Sequence, residues 1–79
     1  MVRRGTLSVA AMHKICKKAG AERVSKSAAA ELAEIMEEMG IRIAKEALDY
    51  TMHAGRKTIK AKDIRIAAEK LIGSARRFI

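Results

Sequence analysis

One apolar stripe, running unbroken between Ser25 and Gly55, limits more than any other feature how this chain can fold. Ala28, Leu32, Ile35, Met36, Met39, Ile43, Ala47 and Tyr50 recur at three and four residues, and Ala44, Leu48 and Thr51 widen the band. Proline is absent, and Gly40 costs a helix only roughly 1 kcal/mol relative to alanine. About 29 residues rising 1.5 Å each give a rod of roughly 43 Å. In a chain of 79 residues, what is left on either side suffices for two short helices. These cannot cover the stripe along its whole length, so a second molecule must. The expectation is an obligate dimer whose long helices cross near Gly40, where a missing side chain permits close approach.

The flanks carry the same signals on a smaller scale. From Ser8 to Ala19, Met12, Ile15, Cys16 and Ala19 fall at helical spacing while His13, Lys14, Lys17 and Lys18 face elsewhere. Thr6 or Ser8 can cap the start and Gly20 can stop the helix. "GAERV" makes a short loop, and Ser25 is the natural cap of the long helix, without a capping-box partner because residue 28 is alanine. After the loop at Gly55–Ile59, a third helix is expected from about Lys60 to Leu71, its apolar face built from Ile64, Ala67, Ala68 and Leu71. Gly73-Ser74 interrupts before "ARRFI". The chain is expected to be all-α.

Charge narrows the partner. Residues 1–24 hold six cations and one acid, residues 25–55 three cations and six acids, and residues 56–79 eight cations and two acids. The net +8 is thus concentrated in the flanking segments and around the glycine-marked loops, which favours a polyanion. Two aromatics, Tyr50 and Phe78, give no stacking platform for single-stranded RNA. The basic residues are split between loops and do not line one amphipathic face, which disfavours a membrane-surface helix, and no apolar run has spanning length. The single Cys16 fits a reducing compartment, and the expected location is cytoplasmic. His13-x-x-Cys16 and His53 make at best an incomplete zinc site, so no metal is expected, and Cys16 is better explained as a small buried hydrophobe. Ser8, Ser25, His13 and His53 form no nucleophile–base arrangement and no phosphate-loop signature exists, so neither enzyme activity nor a cofactor is expected. Met36, Met39 and Met52 are expected in the core. The glutamates at 31, 34, 37, 38 and 46 are expected on a solvated helix face, with Glu34 and Glu38 an unfavourable pair.

Three strings in order, "AGAERVS" at 19–25, "EEMG" at 37–40 and "HAGRKTIKAKDI" at 53–64, give the chain its family look. It resembles the archaeal histones, and more distantly the histone-fold halves of eukaryotic core histones, over roughly Ser8 to Leu71. The last string contains the family's Arg-x-Thr-x-x-x-x-Asp pattern as Arg56, Thr58 and Asp63. The resemblance implies a histone-fold domain at 8–71 in a handshake-type dimer, with a basic N-terminal segment at 1–7. Residues 72–79 are expected to form a C-terminal tail or a short extra helical turn. The basic "MVRR" start and "GSARRFI" depart from the family pattern and bear on higher-order assembly.

What the resemblance implies for function is sequence-tolerant binding and compaction of double-stranded DNA in the nucleoid. The first loop of one chain would lie beside the second loop of its partner, joining Arg23 and Lys26 to Lys57 and Lys60. Both loops precede helix starts, where free amides and the positive dipole end attract anions. Phosphate contacts are assigned to Val24, Ser25 and Lys26, and to Thr58, Ile59, Lys60 and Ala61. Arg23 is expected in the minor groove, and Lys14, Lys17 and Lys18 on a central stretch of phosphates. Arg56 and Asp63 are either two solvated charges or a clamp across the second loop. The clamp is favoured by the family pattern and because a side chain near the third position of a helix leans back toward its start. The resemblance places His53 against Asp63 of a neighbouring dimer, together with Tyr50 and Ile66.

Two other readings of the same residues stand beside this one. A variant histone could join dimers into a closed face-to-face tetramer or bridge duplexes, a possibility raised by apolar Phe78 and Ile79 at a basic terminus. Alternatively the histone fold serves only as a protein-interaction module without DNA packaging. In the leading reading the partners are double-stranded DNA and a second copy of the chain, with a tetramer or larger assembly on DNA and a heterodimer with another histone as further options.

Overall fold

The structure, a computed structural model, describes residues 7–73, and three helices make up its regular structure: α1 (Val9–Lys18), α2 (Lys26–His53) and α3 (Ala61–Ile72). Among the described residues there is no strand. The basic N-terminal residues, the alternative cap Thr6 and the tail bearing Phe78 and Ile79 lie outside the described residues. The contacts divide into two packed units, one up to Met39 and one from Gly40.

In the first unit, α1 packs on the early turns of α2. Ser8 begins α1 by accepting the Ala11 amide on its hydroxyl at 2.9 Å, satisfying one of the four amides a helix start leaves unpaired. Met12, 3% exposed, inserts among Ala29 and Ala33, with Val24 and Leu32 packed around it. Methyl-sized side chains on α2 leave room for the longer methionine, whose burial contributes about 1.5–3 kcal/mol.

In the second unit, α3 packs on the later turns of α2. Ala47, Ala67 and Ala68 are buried there beside two polar residues, Thr51 and Asp63. On one edge of this contact Lys70 donates to Glu46 at 2.8 Å, tying α3 to α2. Glu46 is therefore half-buried and ion-paired, and not merely a solvated charge. The ammonium of Lys70, helped by the Tyr50 hydroxyl, holds its carboxyl below the usual carboxylate range.

One expectation about the core needs correcting: Cys16 is only half-buried. Met36, Met39 and Met52 are exposed in the single chain, as are Ile35 and Leu48 from the same stripe. The short helices cover the alanine-rich strip of α2 and stop there. Helical periodicity identifies an apolar face, but one chain has too few elements to cover all of it. Gly40 sits mid-helix with open space where a side chain would be, so nothing among the described residues requires its smallness.

Candidate nucleic-acid interface

Both loops leave their helices in the same way. After α1, the Gly20 amide donates to the Lys17 carbonyl at 3.0 Å and the Ala21 amide to that of Cys16 at 3.1 Å. After α2, the Gly55 amide donates to the Met52 carbonyl at 2.9 Å and the Arg56 amide to that of Thr51 at 3.0 Å. These are paired Schellman bonds, which need a left-handed residue just past the cap. Gly20 at φ 109° and Gly55 at φ 75° supply it without a Cβ penalty.

Each loop then enters a capped helix start. Ser25 accepts the Ala28 amide at 3.1 Å, opening α2. At α3 the cap position is Lys60, whose side chain has no acceptor, so the work falls to Asp63 three residues on. Its Oδ2 accepts the Lys60 amide at 2.9 Å, the reciprocal half of a capping box. The sequence-assigned residues Arg23, Ser25 and Lys26 in the first loop and Lys57, Thr58, Ile59, Lys60 and Ala61 in the second are exposed. Val24 is half-buried because it packs on the Met12 cluster, which anchors the first loop from beneath. Lys14 and Lys18 are exposed on α1, whereas the Lys17 ammonium is turned onto the first loop, donating to the Glu22 carbonyl at 2.6 Å.

Arg56 and Asp63 are not solvated charges. Arg56 Nη1 and Nη2 donate to Asp63 Oδ2 and Oδ1 at 2.9 and 3.0 Å, a bidentate pair, and Nη1 also donates to the Thr58 carbonyl at 3.0 Å. Asp63 is 2% exposed and further accepts the Thr51 hydroxyl at 2.8 Å. The Arg56 guanidinium, then the Lys60 amide and the Thr51 hydroxyl, hold its carboxyl far below the usual carboxylate range, against the opposing effect of burial. Periodicity gives Thr51 no role beyond widening an apolar stripe. A hydroxyl in such a stripe is the available signal, because a buried polar group needs a partner.

Of the residues assigned to a dimer–dimer contact, His53 and Ile66 are exposed and Tyr50 half-buried, while Asp63 lies behind the second loop. His53 sits at the end of α2 with Nδ1 2.9 Å from the Asp49 carbonyl. Among the described residues no three His, Cys, Asp or Glu side chains converge as metal ligands, and no helix is long and apolar enough to cross a membrane.

A short helix, a long one and a short one, joined by two capped loops with a guanidinium–carboxylate lock behind the second, define a histone-fold protein. The model of the family described as histone-like transcription factor (CBF/NF-Y) and archaeal histone matches residues 6–68. One of the subunits of archaeal histone HAN1 of Thermococcus zilligii is 49% identical over 63 residues, covering 80% of this chain and 94% of that protein. Probable archaeal histone 3 of Methanocaldococcus jannaschii is 46% identical over 61 residues, 77% of this chain and 91% of that one. The chain belongs to this histone family, which is structural and not one of enzymes.

Proposed function

We propose that this chain is a chromatin protein that binds and compacts double-stranded DNA in the nucleoid as a handshake-type dimer. The observation that carries the reading is the matched construction of the two loops. Each places exposed cations beside a capped helix start whose remaining amides are free to meet phosphate. In the dimer, Arg23, Val24, Ser25 and Lys26 of one protomer join Lys57, Thr58, Ile59, Lys60 and Ala61 of its partner in one grip on the backbone. Arg23 enters the minor groove, and Lys14 and Lys18 extend the contact along α1. Backbone amides and guanidinium read no base edges, so binding is sequence-tolerant.

The dimer is supported by the apolar side chains left exposed on α2, chiefly Ile35, Met36, Met39 and Leu48, and by the open space at Gly40. A second contact, through Tyr50, His53 and Ile66 with Asp63 at its buried margin, joins dimers on DNA.

Titrating affinity for a random-sequence duplex against salt tests the central reading. A dimer that neutralises on the order of 8–10 phosphates loses log K with log[salt] at about 0.9 per phosphate. A slope near zero would remove the electrostatic grip and leave the protein-interaction reading in its place. Micrococcal nuclease separates the modes of assembly: protected lengths that grow in dimer-sized steps mean an extending wrap, and one fixed length means a closed particle.

A further inference from the structure

The second loop owes its shape to a cation that does not face outward. Arg56 ties the Thr58 carbonyl from behind, and a trans peptide points its C=O and N–H in opposite directions. Holding the Thr58 carbonyl inward therefore turns the Ile59 amide outward, toward the helix start that meets phosphate. The first loop contains the same device in different chemistry. Lys17, in the last turn of α1, reaches five residues ahead, and its ammonium donates to the Glu22 carbonyl at 2.6 Å. This short, charge-assisted bond sets the plane of the Glu22–Arg23 peptide.

We infer that Lys17 is a positioning residue for the first loop, the counterpart of Arg56 in the second, and not a phosphate ligand. By holding the Glu22 carbonyl, it turns the Arg23 amide the other way and limits where the Arg23 side chain can leave the backbone. Three other constraints bracket the same peptide: the Gly20 turn before it, the Val24 anchor on the Met12 cluster and the Ser25 cap after it. None of these bonds the Glu22 carbonyl itself; the Lys17 ammonium does.

The inference rests on the DNA-binding reading only for its consequence, so the test has one arm without DNA. In amide-resolved NMR spectra of the free protein, Lys17→Met is expected to move the Arg23 and Val24 amide signals. Lys17→Arg, which keeps a donor, leaves them near their original places, and Lys14→Met does not shift them. On a random-sequence duplex, Lys17→Met lowers affinity a few-fold, because Arg23 no longer leaves the loop in one orientation, and the salt slope falls by less than the loss of one phosphate contact would give. Lys17→Arg recovers most of that affinity. A phosphate ligand behaves otherwise: its removal lowers the slope by about 0.9 per copy and leaves the free protein's loop amides unmoved. That result overturns the inference. If the wild-type chain ignores duplex DNA, the functional reading fails alone, and the amide shifts still decide whether Lys17 holds the loop.

Discussion

Replacing Thr51 by valine tests the polar knot behind the second loop with almost no change of shape. Thr51 is fully buried, and its Oγ1 lies 2.8 Å from Asp63 Oδ2 and 3.0 Å from the Ala47 carbonyl. One hydroxyl proton cannot serve both fully, and the ionised carboxylate at the shorter distance takes it. Valine fills the same volume and removes the donor. A hydrogen bond to a charged group contributes about 1.5–3 kcal/mol. The lower part of that range applies, because Oδ2 keeps the Arg56 and Lys60 donors. A loss of about 2 kcal/mol lowers Tm by roughly 8–16 °C in a domain of this size. Thr51→Ser is the control: it keeps the hydroxyl and deletes one buried methyl, costing about 1 kcal/mol. Thermal unfolding followed by circular dichroism, at one protein concentration because a dimer's Tm depends on it, should rank wild type above serine above valine. Valine equal to or more stable than serine would refute the reasoning, since burial alone favours the valine.

Three further outcomes follow from the same geometry. Gly40→Ala adds about 1 kcal/mol to an isolated helix, yet at a helix crossing the new methyl meets the partner, so Tm should fall; a rise would place the crossing elsewhere. Asp63 has a depressed folded-state pKa, so its contribution is fully present above the unfolded value of about 3.9 and is lost as pH falls below it. The Tm gap between wild type and Asp63→Asn should therefore be constant from pH 7 to about 5 and narrow toward pH 2; a gap independent of pH in that range would mean the carboxylate charge contributes nothing. His53→Ala should reduce the size of assemblies on DNA to separate dimers in native mass spectrometry, and an unchanged size would exclude His53 from the contact.

The helices and both loop boundaries are legible in the sequence because their signals are local. Ser8 and Ser25 bond amides three residues on, and Gly20 and Gly55 occupy the left-handed positions that end α1 and α2. The approach of Arg56 to Asp63 can be anticipated, since they flank one short loop and a helical side chain leans toward the N-terminus. Thr51 escapes notice as the third member because helical spacing alone cannot tell a buried hydroxyl with a partner from a filler. Lys17 reads as a phosphate ligand for a related reason. Its charge and place on α1 are local facts, but the Glu22 carbonyl it meets depends on how the loop turns.

The apolar stripe of α2 shows most clearly what lies beyond local chemistry. Spacing at three and four residues dictates a long helix with one oily side, because side chains on a helix repeat every 3.6 residues whatever surrounds them. Which part of that side is covered depends on packing. The alanines at 29, 33 and 47 admit the short helices to close contact, whereas the larger Ile35, Met36 and Met39 remain exposed and need something outside the chain to cover them. Likewise, the order of residues places a lysine at the cap of α3 and an aspartate three positions on. Only folding, by burying Asp63 among Arg56, Thr51 and the Lys60 amide, makes that aspartate at once the helix cap and the brace of the loop.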